Sequence, residues 1–184
     1  MTSTAIQIPG YVVGTWDIDP VHSTVGFSVR HMMVSKVRGY FREFSGEIVT
    51  APNPAESSVT ATIDMDSIDT RQEQRDAHIR SADFFDVGNH SVMTFRSTAV
   101  RAEGEDWFVE GDLTLKGHTE KITGTGTISG PAEDAFGNTK IGLALETVVD
   151  RTKFGLNWNA PLPKGGFALS NDVKLAVELE LVKA

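Results

Sequence analysis

The 184-residue chain contains no cysteine. That absence excludes disulfide staples, thiol nucleophiles and thiolate metal sites. Basic residues are also short, with 17 Lys and Arg against 25 Asp and Glu, a formal net charge of -8 and a pI near 5.1. Non-specific nucleic-acid binding needs a basic surface, so no nucleic-acid partner is expected. The same sign disfavours adsorption to an anionic membrane face through charge alone. Long apolar runs are missing as well. No stretch approaches the roughly 18 residues a membrane helix requires, so no membrane span is expected. Residues Met1 to Pro9 show neither the basic start nor the apolar run of a secretory leader, and the chain reads as cytoplasmic. There is no fixed-period repeat, no βαβ rhythm and no low-complexity linker. The expected organisation is a flexible N-terminus over 1–10 and a single domain over 11–184, a length one core can serve.

What is present is period-2 patterning from end to end, the signature of strands with one dry face. Val173, Leu175, Val177, Leu179 and Leu181 alternate with Lys174, Ala176, Glu178 and Glu180. Ile141, Leu143 and Leu145 repeat the pattern, as do Trp107, Val109, Leu113 and Leu115, then Val25, Phe27 and Val29, then Val59, Ala61, Ile63 and Met65. Strands are predicted near 11–19, 23–31, 39–51, 57–66, 91–102, 106–116, 119–130, 139–151 and 172–182. Turn chemistry sits at the joints, in Pro52-Asn53-Pro54, Gly104-Glu105-Asp106, Lys116-Gly117-His118 and Phe136-Gly137-Asn138. Short joints imply antiparallel neighbours. Residues 69–82 read as a short polar helix with Thr70 and Glu73 in capping-box spacing, lying across a barrel end. Residues 31–38 could add another helical turn. Residues 157–170 form a long Pro/Gly-rich loop, a length that usually signals function or mobility.

So many antiparallel strands must deal with their edges, and closing the sheet removes them. An eight-stranded barrel can be filled by side chains or hold one small ligand. Gly26, Gly124, Gly126 and Gly142 among the apolar positions suggest room inside, while a filled core or a β-sandwich fits the patterning equally well.

A spaced string of residues decides between these. Trp16-Asp17-Ile18-Asp19, His22-Ser23, Phe27, Val29 and His31 resemble the opening of the YceI-like family. Gly39, Phe41, Phe44 and Gly46 continue it, followed by Ser67-Ile68-Asp69-Thr70, Arg75-Asp76, His78, Ser81 and Asp83-Phe84-Phe85-Asp86. Gly111, Leu113-Thr114-Leu115, Gly117, Thr119, Arg151, Phe154 and Gly155 resemble the second half of that family, so the likeness spans roughly residues 14 to 183. Asn89-His90-Ser91 departs from it, standing where the family often has a Tyr-Pro pair. The resemblance implies an all-β fold, an extended eight-stranded antiparallel lipocalin-like barrel with one or two short helices at its ends. It further implies a polyisoprenoid or similar long-chain amphiphile as ligand in an apolar pore, and a homodimer. No cofactor beyond that lipid is implied. Many relatives carry a secretory leader, which this sequence lacks.

Candidate sites follow. Phe27, Val29, Ile63, Phe95, Val109, Leu113, Leu143 and Leu145 are the expected lumen lining, against plain core packing. A prenyl chain offers no hydrogen bonds, so its affinity has to come from buried apolar area, at about 25 cal/mol per Å². Met32 and Met33 suit an adaptable mouth or merely fill a gap. His22, His31 and His78, with Asp19, Asp76 and Asp83 near in sequence, could assemble a metal site or an acid–base pair, although no H-x-x-x-H spacing supports it. Alternatively His22, His31, Arg75, His78 and Arg151 form a polar rim that orients a lipid head group. A serine triad at Asp19, His22 and Ser23 is disfavoured, because neighbours on a strand face opposite sides. The carboxylates of Asp83 and Asp86 are expected to cap backbone or pair with Arg75 or Arg80. Three functions stay open: a lipid binder without catalytic chemistry, an enzyme using histidine on a small apolar substrate, and a structural dimer with an empty core.

Overall fold

The computed structural model describes residues 11–184; the expected flexible N-terminus over 1–10 lies outside them. Ten strands and one α-helix follow in order: β1 Gly14–His31, β2 Ser35–Phe41, β3 Phe44–Thr50, β4 Ser58–Asp64, β5 Ile68–Asp69, α1 Glu73–Arg80, β6 Val92–Glu103, β7 Asp106–Leu115, β8 His118–Glu133, β9 Thr139–Asp150 and β10 Leu169–Lys183. All pairings are antiparallel, and β10 returns to pair with β1, closing the sheet. β2 and β3 run in line along β1, and β4 and β5 likewise continue one another, so the ten segments make eight barrel staves.

The alternation seen in the sequence is the wall of this barrel. Along β7, Trp107, Val109, Leu113 and Leu115 are buried while Phe108, Glu110, Asp112 and Thr114 are not. Outward positions on other strands are largely polar too, so the outer wall has no lipid-facing apolar band. Among the described residues no helix is long and apolar enough to cross a membrane.

Several local expectations are corrected. The predicted strands 11–19 and 23–31 are one strand, β1, which passes through a register shift between Asp19 and Thr24. Residues 31–38 are not helical; they form a β1–β2 hairpin around Met32 and Met33. The single predicted strand 39–51 is broken at Arg42 and Glu43, where those residues bond to Ser67. The predicted capping box fails as well: Gln72 caps α1 by accepting from the Arg75 amide, and Thr70 is held by Asp76.

The two barrel ends are built differently. At the end formed by the start of β1 and the finish of β10, Trp16 is fully buried with Ile48, Ile141, Leu143, Leu179 and Leu181. Its indole donates to Thr50 Oγ1 at 2.8 Å. Trp107, Val100 and Val109 complete the seal, with Tyr11 stacked on Trp107 at 5.4 Å between ring centroids. The opposite end carries α1, the β1–β2 hairpin and the loop before β10.

Candidate functional site

Two apolar cavities lie inside the barrel, of about 280 Å³ toward the α1 end and about 130 Å³ deeper in. Phe41, Met93, Leu113 and Leu175 line both and form the partition between them. Phe27, Val29 and Leu113 face the outer cavity, and Ile63, Phe95, Val109, Leu113, Leu143 and Leu145 the inner one. All eight residues expected at the lumen therefore lie on it.

The glycines behave differently from expectation. Gly124 and Gly26 both border the inner cavity, and at Gly124 an added Cβ would sit in ordinary contact with Leu145 at 3.5 Å. Gly26 lies under Tyr40, Gly142 faces Ser129, and Gly126 closely apposes the Ala144 carbonyl. At those three an added Cβ would meet a neighbour at close range, and of the three only Gly26 also borders the inner cavity.

Four of the five expected rim residues meet at one place. His31, Arg75, His78 and Arg151 all line the outer cavity, whose other walls are apolar. Arg151 is buried, at 5% exposure. It follows Asp150 in a single 3₁₀ turn over Arg151–Phe154, closed by Gly155 in the left-handed region. Its Nε donates to the Ser170 carbonyl at 2.8 Å, and its Nη1 to the carbonyls of Leu156 and Trp158 at 2.6 and 2.8 Å. Burial pulls its pKa below the ordinary guanidinium value, and the Asp150 charge opposes that pull. A guanidinium has five N–H donors, and Nη2 has no partner among the described residues. Arg151 is one of the residues that line the outer cavity.

Arg75 donates to Thr70 through Nε and Nη2, at 2.8 and 2.7 Å. His78 bonds Asp83 at 2.8 Å, so Asp83 pairs with His78 and not with Arg75 or Arg80 as expected. Asp86 instead receives the Asn89 side-chain amide. The His78 ring meets Trp158 and Phe84 edge-on, at 4.8 and 5.1 Å between centroids, and Phe84 meets Trp158 at 5.2 Å. These three rings cover the cavity beside α1. Phe85 faces inward onto Phe41.

Sequence reasoning missed Trp158, Met93 and Phe154. Trp158 had one available signal, as the only aromatic before Phe167 in the long loop. Met93 had none that would separate it from core filling.

His22 stands apart. It lies on the outer wall, bonded to Asp19 at 2.9 Å with Glu180 at 3.8 Å. The Asp19 carboxylate holds its imidazolium above the usual histidine range. Asp19, His22 and Glu180 form the one group of three potential metal ligands among the described residues. The Lys140 ammonium already sits 2.6 Å from Glu180 and 3.5 Å from Asp19, so a cation of the chain itself balances the cluster. His22, His31 and His78 thus share no ligand group. Ser23 is hydrogen-bonded to the backbone of Glu180 on the buried side, away from His22.

Fold and site together define a lipocalin-like barrel with an apolar lumen, sealed at one end and lined by a few polar groups at the other. The chain belongs to the YceI-like family, whose domain model matches residues 16–181. Protein YceI of an Escherichia coli strain is 39% identical over 108 residues, covering 58% of this chain and 56% of that one. A UPF0312 protein of Photorhabdus laumondii is 40% identical over 107 residues, with the same coverage of 58% and 56%. The chain thus spans little more than half the length of these relatives. Among solved structures, Burkholderia cenocepacia BcnA matches with a TM-score of 0.77 at 25% identity, over 89% of this chain and 99% of that one. A polyisoprenoid-binding domain from Saccharophagus degradans shares the fold, with a TM-score of 0.70 at 17% identity over 94% of this chain and 100% of that one.

Proposed function

We propose that this protein binds a long-chain isoprenoid or similar amphiphile, of the polyprenyl or prenylquinone kind, and stores or carries it with its chain in the lumen. The observation that carries the reading is the asymmetry of the lumen: apolar along its length, with unspent hydrogen-bonding capacity on Arg151 at one end. An apolar chain gains affinity only by leaving water, whereas a ring oxygen or terminal hydroxyl needs a donor. The barrel offers each in its own place. Membership of a family with a polyisoprenoid-binding structural neighbour supports the ligand class.

The outer cavity, at about 280 Å³, is at the lower edge of ordinary ligand pockets, roughly 300–1,000 Å³. A long chain therefore has to pass the partition, and Met93 with its unbranched thioether is the wall residue best able to re-pack. The enzyme reading gains the His78–Asp83 pair, but that imidazole is wedged edge-on between Phe84 and Trp158, which suits a gate better than a proton shuttle.

Tryptophan fluorescence tests the pose. A prenylquinone whose ring lies beside Arg151 quenches Trp158, and Trp158→Phe removes most of the quenching while an independent binding measurement changes little. Quenching that persists in Trp158→Phe would place the ring elsewhere and overturn the proposed orientation.

A further inference from the structure

We infer that the α1 end of the barrel docks on an anionic lipid bilayer, with the β1–β2 hairpin tip and Phe167 entering the headgroup region. The inference rests on the isoprenoid reading, because such a ligand resides in membranes and has to leave one to reach the lumen.

The first observation is where apolar surface is exposed. Ten large hydrophobic residues are exposed among the described residues, and Met32, Met33, Val34 and Phe167 are four of them. The others are scattered, but these four are held together. Met32 N donates to the Ala168 carbonyl at 2.7 Å, and Pro161 bridges to Phe167. His31, Ala168 and Leu169, their immediate neighbours, line the outer cavity. The patch therefore sits at the lip of the lumen.

The second observation is strain. Met32 and Met33 both have positive φ, 53° and 61°, and Val34 N closes the turn on the His31 carbonyl at 3.1 Å. This is a type I′ turn, which Asn-Gly makes most easily and which costs a side chain with a Cβ on the order of 1 kcal/mol per residue. Two flexible apolar side chains occupy the tip at a cost in stability, while pointing into solvent. Strain of that kind collects at working surfaces.

The third is charge. Although the chain carries -8 overall, residues 20–41 contain Arg30, Lys36 and Arg38 and no Asp or Glu, and residues 151–171 contain Arg151, Lys153 and Lys164 and again no acid. Of these basic groups all but Arg151 are exposed. The acids of this end are mostly partnered: Asp76 is buried and bonded by Thr70, exposed Asp83 is bonded by His78 and exposed Asp66 is paired with Arg80, while Glu73 and Asp172 are exposed as well. The remaining surface is strongly acidic, so an anionic bilayer attracts this end and repels the rest, which sets the orientation.

Flotation of the full chain with vesicles of phosphatidylethanolamine and phosphatidylglycerol tests this, with phosphatidylcholine vesicles as reference. The protein is expected to float with the anionic vesicles at low salt and to be released as salt screens the contact. Lys36→Glu with Lys164→Glu is expected to lower the bound fraction about tenfold or more. The decisive variant is Met32→Asn with Met33→Gly. It relieves the turn, so its melting temperature rises while its vesicle binding falls several-fold. Val148→Asp, on the exposed side wall, leaves binding unchanged. Wild-type protein that stays off phosphatidylglycerol vesicles overturns the docking surface, as does a Met32→Asn, Met33→Gly variant that binds them equally well. So does a dimer, seen by light scattering, that these same substitutions dissociate. Prenylquinone uptake in vesicle-free solution is scored separately. Uptake without docking leaves the cargo reading standing, and docking without uptake supports the surface and removes the cargo.

Discussion

The sealed end and the α1 end of this barrel use similar materials for opposite purposes. At the sealed end Trp16 is fully buried, its single polar atom is matched by Thr50, and Leu181 and Ile141 close around it. At the other end the largest buried polar side chain is Arg151, held by three backbone carbonyls, and the hairpin tip is strained and exposed. A close-packed end can only be stable. An end with unspent donors and exposed methionines gives up some stability, which the proposed lipid binding would put to use.

The comparison breaks most visibly at Trp16. Trp16→Ala is expected to cost about 4 kcal/mol, lowering Tm by roughly 8–16 °C in a domain of this size, while affinity for prenylquinone measured well below Tm changes little. An equal loss of affinity would show that the sealed end contributes to binding, and the distinction between ends would fail. At the opposite pole, Arg151→Met is expected to cost about 2 kcal/mol by freeing the loop carbonyls, since removing a partner leaves buried acceptors unmet. It should also weaken prenylquinone about tenfold, and Arg151→Lys should recover part of both. Thermal melts and equilibrium binding on the same samples separate the two effects.

The inner cavity sharpens the comparison at smaller scale. Gly124→Val places its branches in that 130 Å³ space from a position where a Cβ meets no clash. Stability should change by under about 1 kcal/mol. Affinity for a long prenyl chain should fall several-fold while that for a short-chain analogue holds. Equal binding of both by the variant would mean that the chain never reaches the inner cavity.

The smallest effect concerns the outer wall. Asp19 raises the His22 pKa, so the folded state binds that proton more tightly than the unfolded chain. The associated stabilisation is fully present below the ordinary histidine value, roughly 6.5, and is lost as pH rises through the raised one. Asp19→Asn should lower the His22 midpoint by NMR titration and leave lipid binding untouched, because His22 lies outside the lumen.

These contrasts also show what a sequence can and cannot carry. The wall was legible because each strand has one wet and one dry face, and Leu143, Leu145, Leu179 and Leu181 announce it by alternation alone. The eight lumen positions follow from the same rule. Other features depend on partners far along the chain. The expected strands 11–19 and 23–31 leave a gap, yet β1 runs across it because β10 and the β2–β3 stave pair on either side. Thr70 and Glu73 have capping-box spacing, but Asp76 claims the Thr70 hydroxyl. Met32-Met33 has no turn signature, since the residues that favour a type I′ turn are Asn and Gly. His22 and His31 are nine positions apart on one strand, and one lies on the outer wall while the other lines the outer cavity at the rim. Only closure of the barrel sorts them.

Native mass spectrometry of freshly purified protein, followed by organic extraction, tests the central claim most directly. The account predicts a discrete adduct that extracts as a prenyl or other long-chain amphiphile, and the loss of that adduct in Arg151→Met. Protein at its bare sequence mass that also fails to take up added prenylquinone would contradict it.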